Sequence, residues 1–402
     1  MNDDKQTILH VITSLNLGGA ETMMCQLLEH TDRSRFTPVV VSLRPSGPLA
    51  ARIKKAGVEL HCLDMGSYLS FASGLARLKS IMRAVQPALV QTWMYHADFL
   101  GTLAARSLSP RPPVVWNVQH SSFSPKGTKF LSRVMRVLLS RLSKTWPDRI
   151  ISCSRTGIEL HAGIGYPREK LVHIVNGADT RRFVPDVAAR QELRLKLGIP
   201  LEARVIGMAG RNDPQKDYPT LFAAIREFQK TDKETIFIAC GAGVVREDPE
   251  LAAMRRGCCS PHNIFLLGPR QDMPKVYPAF DIATLSSAYG EGLPLTLCES
   301  LACGVPAVVT DVGDSADVIG DCGIVVPPGD PGALAAAWHR MVGLSEPELA
   351  TLSGKSRIRA EERFALPAIT AQYEDLYASL IDSREPHAFD DEAHTLPEPA
   401  AA

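Results

Sequence analysis

Short runs of apolar and β-branched residues alternate with helical segments along nearly the whole chain. The first half predicts strands over 8–15, 38–43, 58–63, 89–93, 114–120, 150–154 and 171–175, with helices over 20–30, 49–56 and 75–85. The second half predicts strands over 205–209, 235–239, 264–267, 282–285, 307–310 and 324–326. Such alternation with short connections is typical of βαβ units in parallel sheets covered by helices on both faces, so we expect an α/β fold.

The length of 402 residues exceeds what one hydrophobic core usually covers, which favours two domains. A turn-rich stretch over 176–186 is the best linker, and it divides the chain into domains over 1–178 and 179–366. Residues 383–402 are acidic and rich in alanine and proline, which predicts disorder. Two doubly wound domains would face each other across a cleft, where the carboxyl ends of the strands bind ligands.

Composition excludes several classes of protein. The net charge is zero, which argues against a nucleic-acid-binding protein. The nine cysteines include no Cys-x-x-Cys pair, and this favours a reducing compartment over a disulfide framework. We expect a cytoplasmic protein, because we find neither a signal peptide nor a stretch of about 18 apolar residues.

The segment 289–304 places Glu291 and Glu299 eight residues apart, across a junction between a glycine-bearing loop and a helix. Pro294 suits the first helical turn, and Gly304 ends the helix as a C-cap glycine does. The amino end of such a helix attracts phosphate. Each carboxylate can accept two hydrogen bonds and so hold a vicinal diol. The segment therefore predicts a nucleotide-sugar site.

Three further groups of residues follow predicted strands. Arg211 and Lys216 share one loop and could neutralise a diphosphate, although a solvated loop paired with its own acids is the alternative. Gly18 and Gly19 open the first helix, where a tight turn without a ligand explains them about as well. His120 ends its strand facing the expected cleft, where it either contacts a sugar hydroxyl or is structural.

The segment 126–146 predicts a basic amphipathic helix. Lys126, Lys129, Arg133, Arg136 and Lys144 fall largely on one face, and Phe130, Val134, Val137 and Leu138 on another. Two interpretations stay open: the helix packs its apolar stripe on the sheet, or it lies on an anionic membrane surface at the inner face of the plasma membrane.

Together these motifs resemble the retaining glycosyltransferases of family 4, which have the GT-B architecture, and within that family the bacterial capsule and exopolysaccharide transferases. The resemblance covers about residues 7–380. It depends on Gly18-Gly19-Ala20-Glu21, on Asn176-Gly177-Ala178-Asp179 with Phe183, on Gly210-Arg211 with Lys216, and on Glu291 through Pro306. One departure is Asp217, where many family members carry glycine.

The resemblance implies roles for these positions. Arg211 and Lys216 would hold the donor diphosphate, Glu291 and His120 would contact the sugar, and Glu299 would bind the ribose. The remaining donor-binding positions implied are Gly18, Gly19, Gly292, Leu293, Arg270 and Asn176. It also implies a final helix over 367–382 that crosses back to the first domain, a reaction without metal ion or cofactor, and retention of configuration by front-face attack.

The expected partners are a nucleoside-diphosphate sugar as donor and a glycan or polyprenyl-diphosphate-linked oligosaccharide as acceptor. UDP- and GDP-sugars both stay open. Two other functions remain as alternatives: a sugar-nucleotide 2-epimerase, and a non-catalytic sugar-nucleotide-binding subunit of a polysaccharide assembly complex. The first would change the donor without any acceptor, and the second would bind the donor without turnover.

Overall fold

The computed structural model describes residues 5–66, 70–119 and 130–383, and these form two parallel β-sheets. The N-terminal sheet has seven strands: β1 Gln6–Ile12, β2 Phe36–Ser42, β3 Glu59–Cys62, β4 Leu89–Trp93, β5 Val114–Val118, β6 Arg149–Ser152 and β7 Leu171–His173. Its helices are α1 Gly19–His30, α2 Ala50–Lys55, α3 Phe71–Val85, α4 Tyr95–Ala105, α5 Phe130–Leu142 and α6 Arg155–Gly163. The strand order is β3-β2-β1-β4-β5-β6-β7.

The C-terminal sheet has six strands in the order β10-β9-β8-β11-β12-β13. They are β8 Val205–Ala209, β9 Ile236–Cys240, β10 Ile264–Leu266, β11 Ile282–Leu285, β12 Ala307–Thr310 and β13 Gly323–Val326. The helices of this half are α7 Val187–Leu197, α8 Tyr218–Phe228, α9 Pro249–Arg256, α10 Met273–Val276, α11 Leu295–Ala302, α12 Ser315–Ile319, α13 Pro331–Val342 and α14 Glu346–Arg363, and α15 Leu366–Asp382 follows them. The expectation of two doubly wound α/β units is confirmed.

In each sheet the strand order reverses beside the first strand, between β1 and β4 and between β8 and β11. In open α/β sheets, the crevice outside the carboxyl ends of the strands at such a switch point is where ligands bind. The loops after β8 and β11 carry Lys216 and Glu291, so the fold brings two of the sequence-selected residues to the same switch point.

The last helix, α15, packs on the N-terminal half. Its Leu366, Tyr373 and Tyr377 are buried in one apolar cluster with β1 and α1. The Tyr373 hydroxyl accepts a 2.9 Å hydrogen bond from Asn117 at the end of β5. The chain passes between the halves at two adjacent points, because Ala178 and Ala365 form an isolated β-bridge.

Helix α5 contradicts one of the two interpretations of 126–146, the one in which the named apolar stripe packs on the sheet. Val134, Val137 and Leu138 are exposed, whereas Leu139 is buried in the N-terminal core with Met135 packed against it. The apolar stripe named from the sequence is therefore not the packing face, since a second stripe at helical spacing contacts the sheet. Lys126 and Lys129 lie outside the described residues, and so does the tail from 384. Within the described ranges, no helix is both long and apolar enough to cross a membrane.

Candidate functional site

Two loops meet at the carboxyl edge of the C-terminal sheet. One runs from Gly210 to Asp217 after β8, and the other from Ser286 to Pro294 after β11. They are tied together by backbone and side-chain bonds: Ala288 N–H donates to the carbonyl of Gln215 at 2.9 Å, and the Ser286 hydroxyl donates to the carbonyl of Lys216 at 2.7 Å. The loops therefore form one continuous polar surface.

Lys216 and Glu291 form an ion pair in this surface. The lysine Nζ lies 2.6 Å from Glu291 Oε1, and Ser287 Oγ donates to the same oxygen at 2.5 Å. Glu291 is only 5% exposed, so its charge depends on these partners. Its second oxygen has no hydrogen bond within the described residues. The ammonium group of Lys216 and the carboxylate of Glu291 therefore lie side by side. The second carboxylate oxygen of Glu291 is available to accept a hydrogen bond from a hydroxyl group.

Asp217, the departure from the family pattern, adopts a left-handed backbone with φ of 50°. Glycine reaches this region without strain, which explains why glycine suits the position. Here the aspartate side chain accepts a hydrogen bond from the Thr220 N–H at 3.1 Å and caps α8. The cap stabilises the helix and offsets part of the backbone strain, so Lys216 keeps its place in the loop.

Glu299 lies on α11, past the first turn of the helix. The Tyr277 hydroxyl donates to its Oε2 at 2.9 Å. Burial raises the pKa of Glu299 to about 7, against the opposing effects of the Tyr277 bond and the charges of Arg182 and Arg52. Glu299 therefore changes charge near neutral pH, unlike an ordinary glutamate.

The ends of α11 are close to those expected. Pro294 is the N-cap residue of the helix, which begins at Leu295, so the proline lies at the start of the helix as expected. Gly304 follows the helix with φ of 72°, as expected for a C-terminal glycine.

Gly18 is the N-cap of α1 on the opposite side of the cleft. A Cβ on Gly18 would lie 2.4 Å from Glu21 Oε2, so the carboxylate of Glu21 folds back over the glycine. The Ser14 hydroxyl donates to Glu21 Oε1 at 3.2 Å. Burial raises the pKa of Glu21, and the opposing effects include the positive charge of Arg211. Exposed Arg211 therefore acts electrostatically across the cleft on the Gly18–Gly19 loop.

Asp314 joins the two halves next to the loop that carries Glu291. Its carboxylate accepts hydrogen bonds from Arg155 N–H at 2.7 Å, Thr156 N–H at 3.0 Å and Thr156 Oγ1 at 2.6 Å, at the amino end of α6 in the N-terminal half. Its own N–H donates to the carbonyl of Gly292 at 3.0 Å. A residue of the C-terminal half thus caps a helix of the other half and supports the loop that carries Glu291.

Gly292 and Leu293 pack against the N-terminal half. A Cβ on Gly292 would lie 3.1 Å from both Cys153 Sγ and the carbonyl oxygen of Gln119, so only glycine fits without movement of a neighbour. Leu293 is buried. Because this loop contacts the first half directly, changes in how the halves meet would move Glu291.

Two other sequence-selected residues, Arg270 and Asn176, are bonded to partners outside the Lys216–Glu291 pair. Arg270 is bonded to Asp272 in its own loop, with Nη2 to Oδ2 at 2.6 Å. Asn176 is buried and donates to Gln119 Oε1 at 2.9 Å, while its own amide oxygen has no partner in the part of the chain described. His120 lies outside the described residues.

Four residues at this site were not selected from the sequence: Glu21, Gln119, Ser287 and Asp314. Glu21 was visible as the acid after two glycines in the first turn of a helix. The others carry no spacing signal, because each meets its partner only through the fold; Asp314 and Thr156 are 158 residues apart. Among the described residues, no group of three or more His, Cys, Asp or Glu side chains is arranged to hold a metal ion.

Two family models match the chain. The model described as Glycosyltransferase Family 4 matches residues 17–182, and the model described as Glycosyl transferases group 1 matches residues 203–343. The two matches together cover six of the seven strands of the N-terminal sheet and all six strands of the C-terminal sheet.

Individual proteins are similar over most of the chain. It is 25% identical over 316 residues to the UDP-Gal:alpha-D-GlcNAc-diphosphoundecaprenol alpha-1,3-galactosyltransferase of Escherichia coli, covering 77% of this chain and 80% of that one. It is also 25% identical over 373 residues to the D-inositol 3-phosphate glycosyltransferase of Thermobispora bispora, covering 87% and 84%. The crystal structure of Anabaena Alr3699/HepE in complex with UDP-glucose superposes with a TM-score of 0.81 at 20% identity, covering 93% of this chain and 99% of that one. This last similarity, at 20% identity, shows a shared fold alone.

Proposed function

The chain belongs to glycosyltransferase family 4 and has the GT-B architecture, and from this premise we propose that it transfers a sugar, with retention of configuration, from a nucleoside-diphosphate sugar to a glycan or polyprenyl-diphosphate-linked oligosaccharide. The observation that carries the proposal is the Lys216–Glu291 pair of 2.6 Å at the switch point of the C-terminal sheet. The pair places a lysine cation, which can bind a diphosphate, beside a carboxylate that can accept hydrogen bonds from sugar hydroxyls.

In the proposed complex, Lys216 and Arg211 hold the diphosphate, Glu291 accepts hydrogen bonds from the sugar and Glu299 accepts them from the ribose. Gly292 and Leu293 offer backbone N–H groups, Gly18 and Gly19 approach from the other half, and Arg270 lies near the base. Asn176 and His120 complete the proposed set. The support is that Arg211 and Lys216 share one loop and that Arg211 influences Glu21 beside Gly18.

The proposed reaction breaks the bond between the anomeric carbon and the diphosphate oxygen, and the leaving diphosphate keeps the electron pair. Lys216 and Arg211 stabilise the charge that develops on it. The acceptor hydroxyl attacks the anomeric carbon on the same face, and its proton passes to the leaving phosphate oxygen. Approach of the two halves excludes water from this step.

We further propose that no metal ion or cofactor takes part. The two cations of the Gly210–Asp217 loop can supply the charge that a divalent ion would otherwise bring to the diphosphate. Chelation with EDTA should then leave the rate unchanged. A rate that falls with EDTA and returns with magnesium or manganese would contradict metal independence.

The donor base is proposed to be uracil first and guanine second. The support is that one similar structure is titled as a complex with UDP-glucose and that one relative is named for UDP-Gal. The same relative is named for a diphosphoundecaprenol acceptor, which supports a lipid-linked acceptor.

The exposed Val134, Val137 and Leu138 of α5 support contact with the inner face of the plasma membrane. Sedimentation with anionic vesicles, reduced in Val137→Asp, tests that contact.

The experiment that tests the function is a panel of UDP-, GDP- and ADP-sugars incubated with the protein and lipid-linked or soluble glycan acceptors. Release of nucleoside diphosphate that requires an acceptor, with a product of retained configuration by proton NMR, is the expected result. Conversion of the donor without any acceptor would indicate an epimerase instead. Donor binding in calorimetry without any turnover would indicate a binding subunit.

A further inference from the structure

The N-terminal half contains a cavity of about 430 Å³ that the donor site does not use. Its volume lies within the range of roughly 300–1,000 Å³ that is usual for small-molecule sites. Most of its lining is apolar, and the apolar side chains are Leu43, Met65, Phe71, Phe99, Leu100 and Met135. A sugar requires many hydrogen-bond partners, which such a lining does not supply. The cavity is suited to an apolar ligand.

The cavity lies at the same edge of the sheet as the Gly18–Gly19 loop. Thr13 and Leu43, which line it, directly follow β1 and β2. Ser14, the residue after Thr13, bonds Glu21 of that loop. A ligand in the cavity would therefore place its attached head group toward the cleft, on the acceptor side of the proposed reaction.

One cation borders the apolar lining. Arg44 is exposed and lines the cavity, and no carboxylate pairs with its guanidinium in the ranges that the structure describes. Burial lowers the pKa of His96, which also lines the cavity, and the positive charge of Arg44 lowers it further. A single unpaired arginine beside an apolar cavity is complementary to a phosphate attached to a hydrocarbon chain.

The apolar lining continues onto the protein surface. Met135 lines the cavity from α5, and the same helix exposes Val134, Val137 and Leu138. Of these, Leu138 follows Met135 by three residues and so lies near it on the helix surface. A hydrocarbon chain too long for the cavity would extend out of it along this exposed face. A small apolar ligand would fit inside the cavity and would not contact this face.

We propose that this cavity binds the first apolar segment of a lipid-linked acceptor, with Arg44 near its phosphate and the rest of the lipid along α5. The inference rests on the proposed transfer to a polyprenyl-diphosphate-linked acceptor and names where that acceptor is held. Burial of each methylene should strengthen binding about threefold to fourfold, as long as the chain stays inside the cavity.

The test measures binding of ethyl diphosphate and octyl diphosphate by calorimetry, below the concentration at which octyl diphosphate forms micelles. The wild-type protein should bind octyl diphosphate between about tenfold and about 10³-fold more tightly than ethyl diphosphate, according to whether two or all six of the additional methylenes are buried. Phe71→Asp should remove most of that difference, because it places a charge in the apolar lining, at a position where the native side chain is 40% exposed. Arg44→Ala should weaken both ligands by a similar factor.

Two variants serve as controls. Ile358→Asp changes another exposed apolar side chain, on α14 in the other half, and should leave both affinities unchanged. Leu138→Asp changes the exposed face of α5 and should affect octyl diphosphate less than Phe71→Asp does. Equal affinities of the two diphosphates in wild type, or an octyl affinity lost in Leu138→Asp but kept in Phe71→Asp, would overturn the cavity as the binding site.

A separate measurement distinguishes this inference from the proposed function. UDP binding should be the same in wild type and Phe71→Asp, because the variant lies outside the donor site. Chain-length-dependent binding of the alkyl diphosphates in a protein that transfers no sugar would contradict the proposed function and leave the cavity assignment standing. Sugar transfer that does not depend on the acceptor lipid would overturn the cavity assignment alone.

Discussion

The two sides of the cleft use different chemistry. On the C-terminal side, Lys216, Glu291 and Ser287 are bonded to one another and largely buried. On the N-terminal side, the glycine loop at Gly18 lies beside a cavity with a mostly apolar lining. A site for a charged diphosphate benefits from cations that are already fixed, whereas a site for a lipid needs shape and apolar area. From this difference we expect the C-terminal half to determine catalysis and the N-terminal half to determine the acceptor.

The largest effect is expected at Lys216. Lys216→Ala removes the fixed cation and leaves the carboxylate of Glu291 buried without its partner. Loss of one such electrostatic contact typically costs about 10²–10³ in rate, so kcat for sugar transfer should fall by that factor. The measurement is steady-state release of nucleoside diphosphate.

A matched lysine provides the control. Lys230 lies 2.6 Å from Glu227 on an exposed surface, the same distance as in the Lys216–Glu291 pair. Lys230→Ala should leave kcat within about twofold, because exposed pairs contribute little. Equal effects of the two substitutions would remove the distinction between a catalytic and a surface pair.

The next largest effect is expected at Asp314, which joins the two sides. Asp314→Ala removes a helix cap that crosses between the halves and supports Gly292. Loss of such a cap costs about 0.5–2 kcal/mol, so KM for the donor should rise by roughly tenfold. Donor titrations of the initial rate measure this rise.

Asp330 offers a cap of the same kind within one half, since its side chain accepts from Ala333 N–H at 2.8 Å. Asp330→Ala should lower thermal stability without changing KM. If both variants raise KM alike, the effect comes from general loss of stability and not from the connection between the halves.

A smaller, pH-dependent effect is expected at Glu299. Its pKa of about 7 in the folded protein exceeds the usual value, so its contribution to stability is fully present below about pH 4.5 and is lost as the pH rises through 7. Relative to Glu299→Gln, the wild-type Tm should therefore fall by roughly 2–4 °C between pH 5 and pH 8. Over the same range UDP affinity should rise a few-fold in wild type only, because the ionised carboxylate is the better acceptor for ribose hydroxyls. A parallel pH dependence in Glu299→Gln would exclude Glu299 as its source.

The smallest effect is expected at Asp217. Asp217→Gly relieves the strain of the left-handed backbone at this position but removes the hydrogen bond from Thr220 N–H that caps α8. These effects oppose each other, so the free energy of unfolding should change by less than about 1 kcal/mol. Asp217→Ala loses the cap and keeps the strain, so it should destabilise by about 1–2 kcal/mol. Urea denaturation of the pair measures both. An alanine variant as stable as the glycine variant would mean that the left-handed backbone at this position carries no strain, since both variants lack the cap.

The sequence predicts the two sheets well because parallel strands, buried on both faces, read as short apolar runs between helices. Their order is not contained in those runs, since it depends on which strands pair after the helices have crossed. The Lys216–Glu291 pair was anticipated as one site because both residues follow strands at their carboxyl ends. Contacts such as Asp314 to Thr156 were not, because a lone aspartate carries no periodic signal.

Helix α5 shows how an amphipathic pattern misleads. Apolar residues at helical spacing occur on two faces of the helix, and only tertiary packing decides that Leu139 and not Val137 faces the sheet. The same packing leaves Val134, Val137 and Leu138 exposed beside the cavity, so only the interpretation in which this stripe packs on the sheet is wrong.

The most direct test of the account is a crystal structure of the protein with a bound UDP-sugar analogue that resists cleavage. We expect the diphosphate within hydrogen-bond distance of Lys216 and Arg211, with the sugar against Glu291 and the ribose against Glu299. A diphosphate bound away from the Lys216–Glu291 pair would contradict the central claim, whatever the rest of the complex looked like.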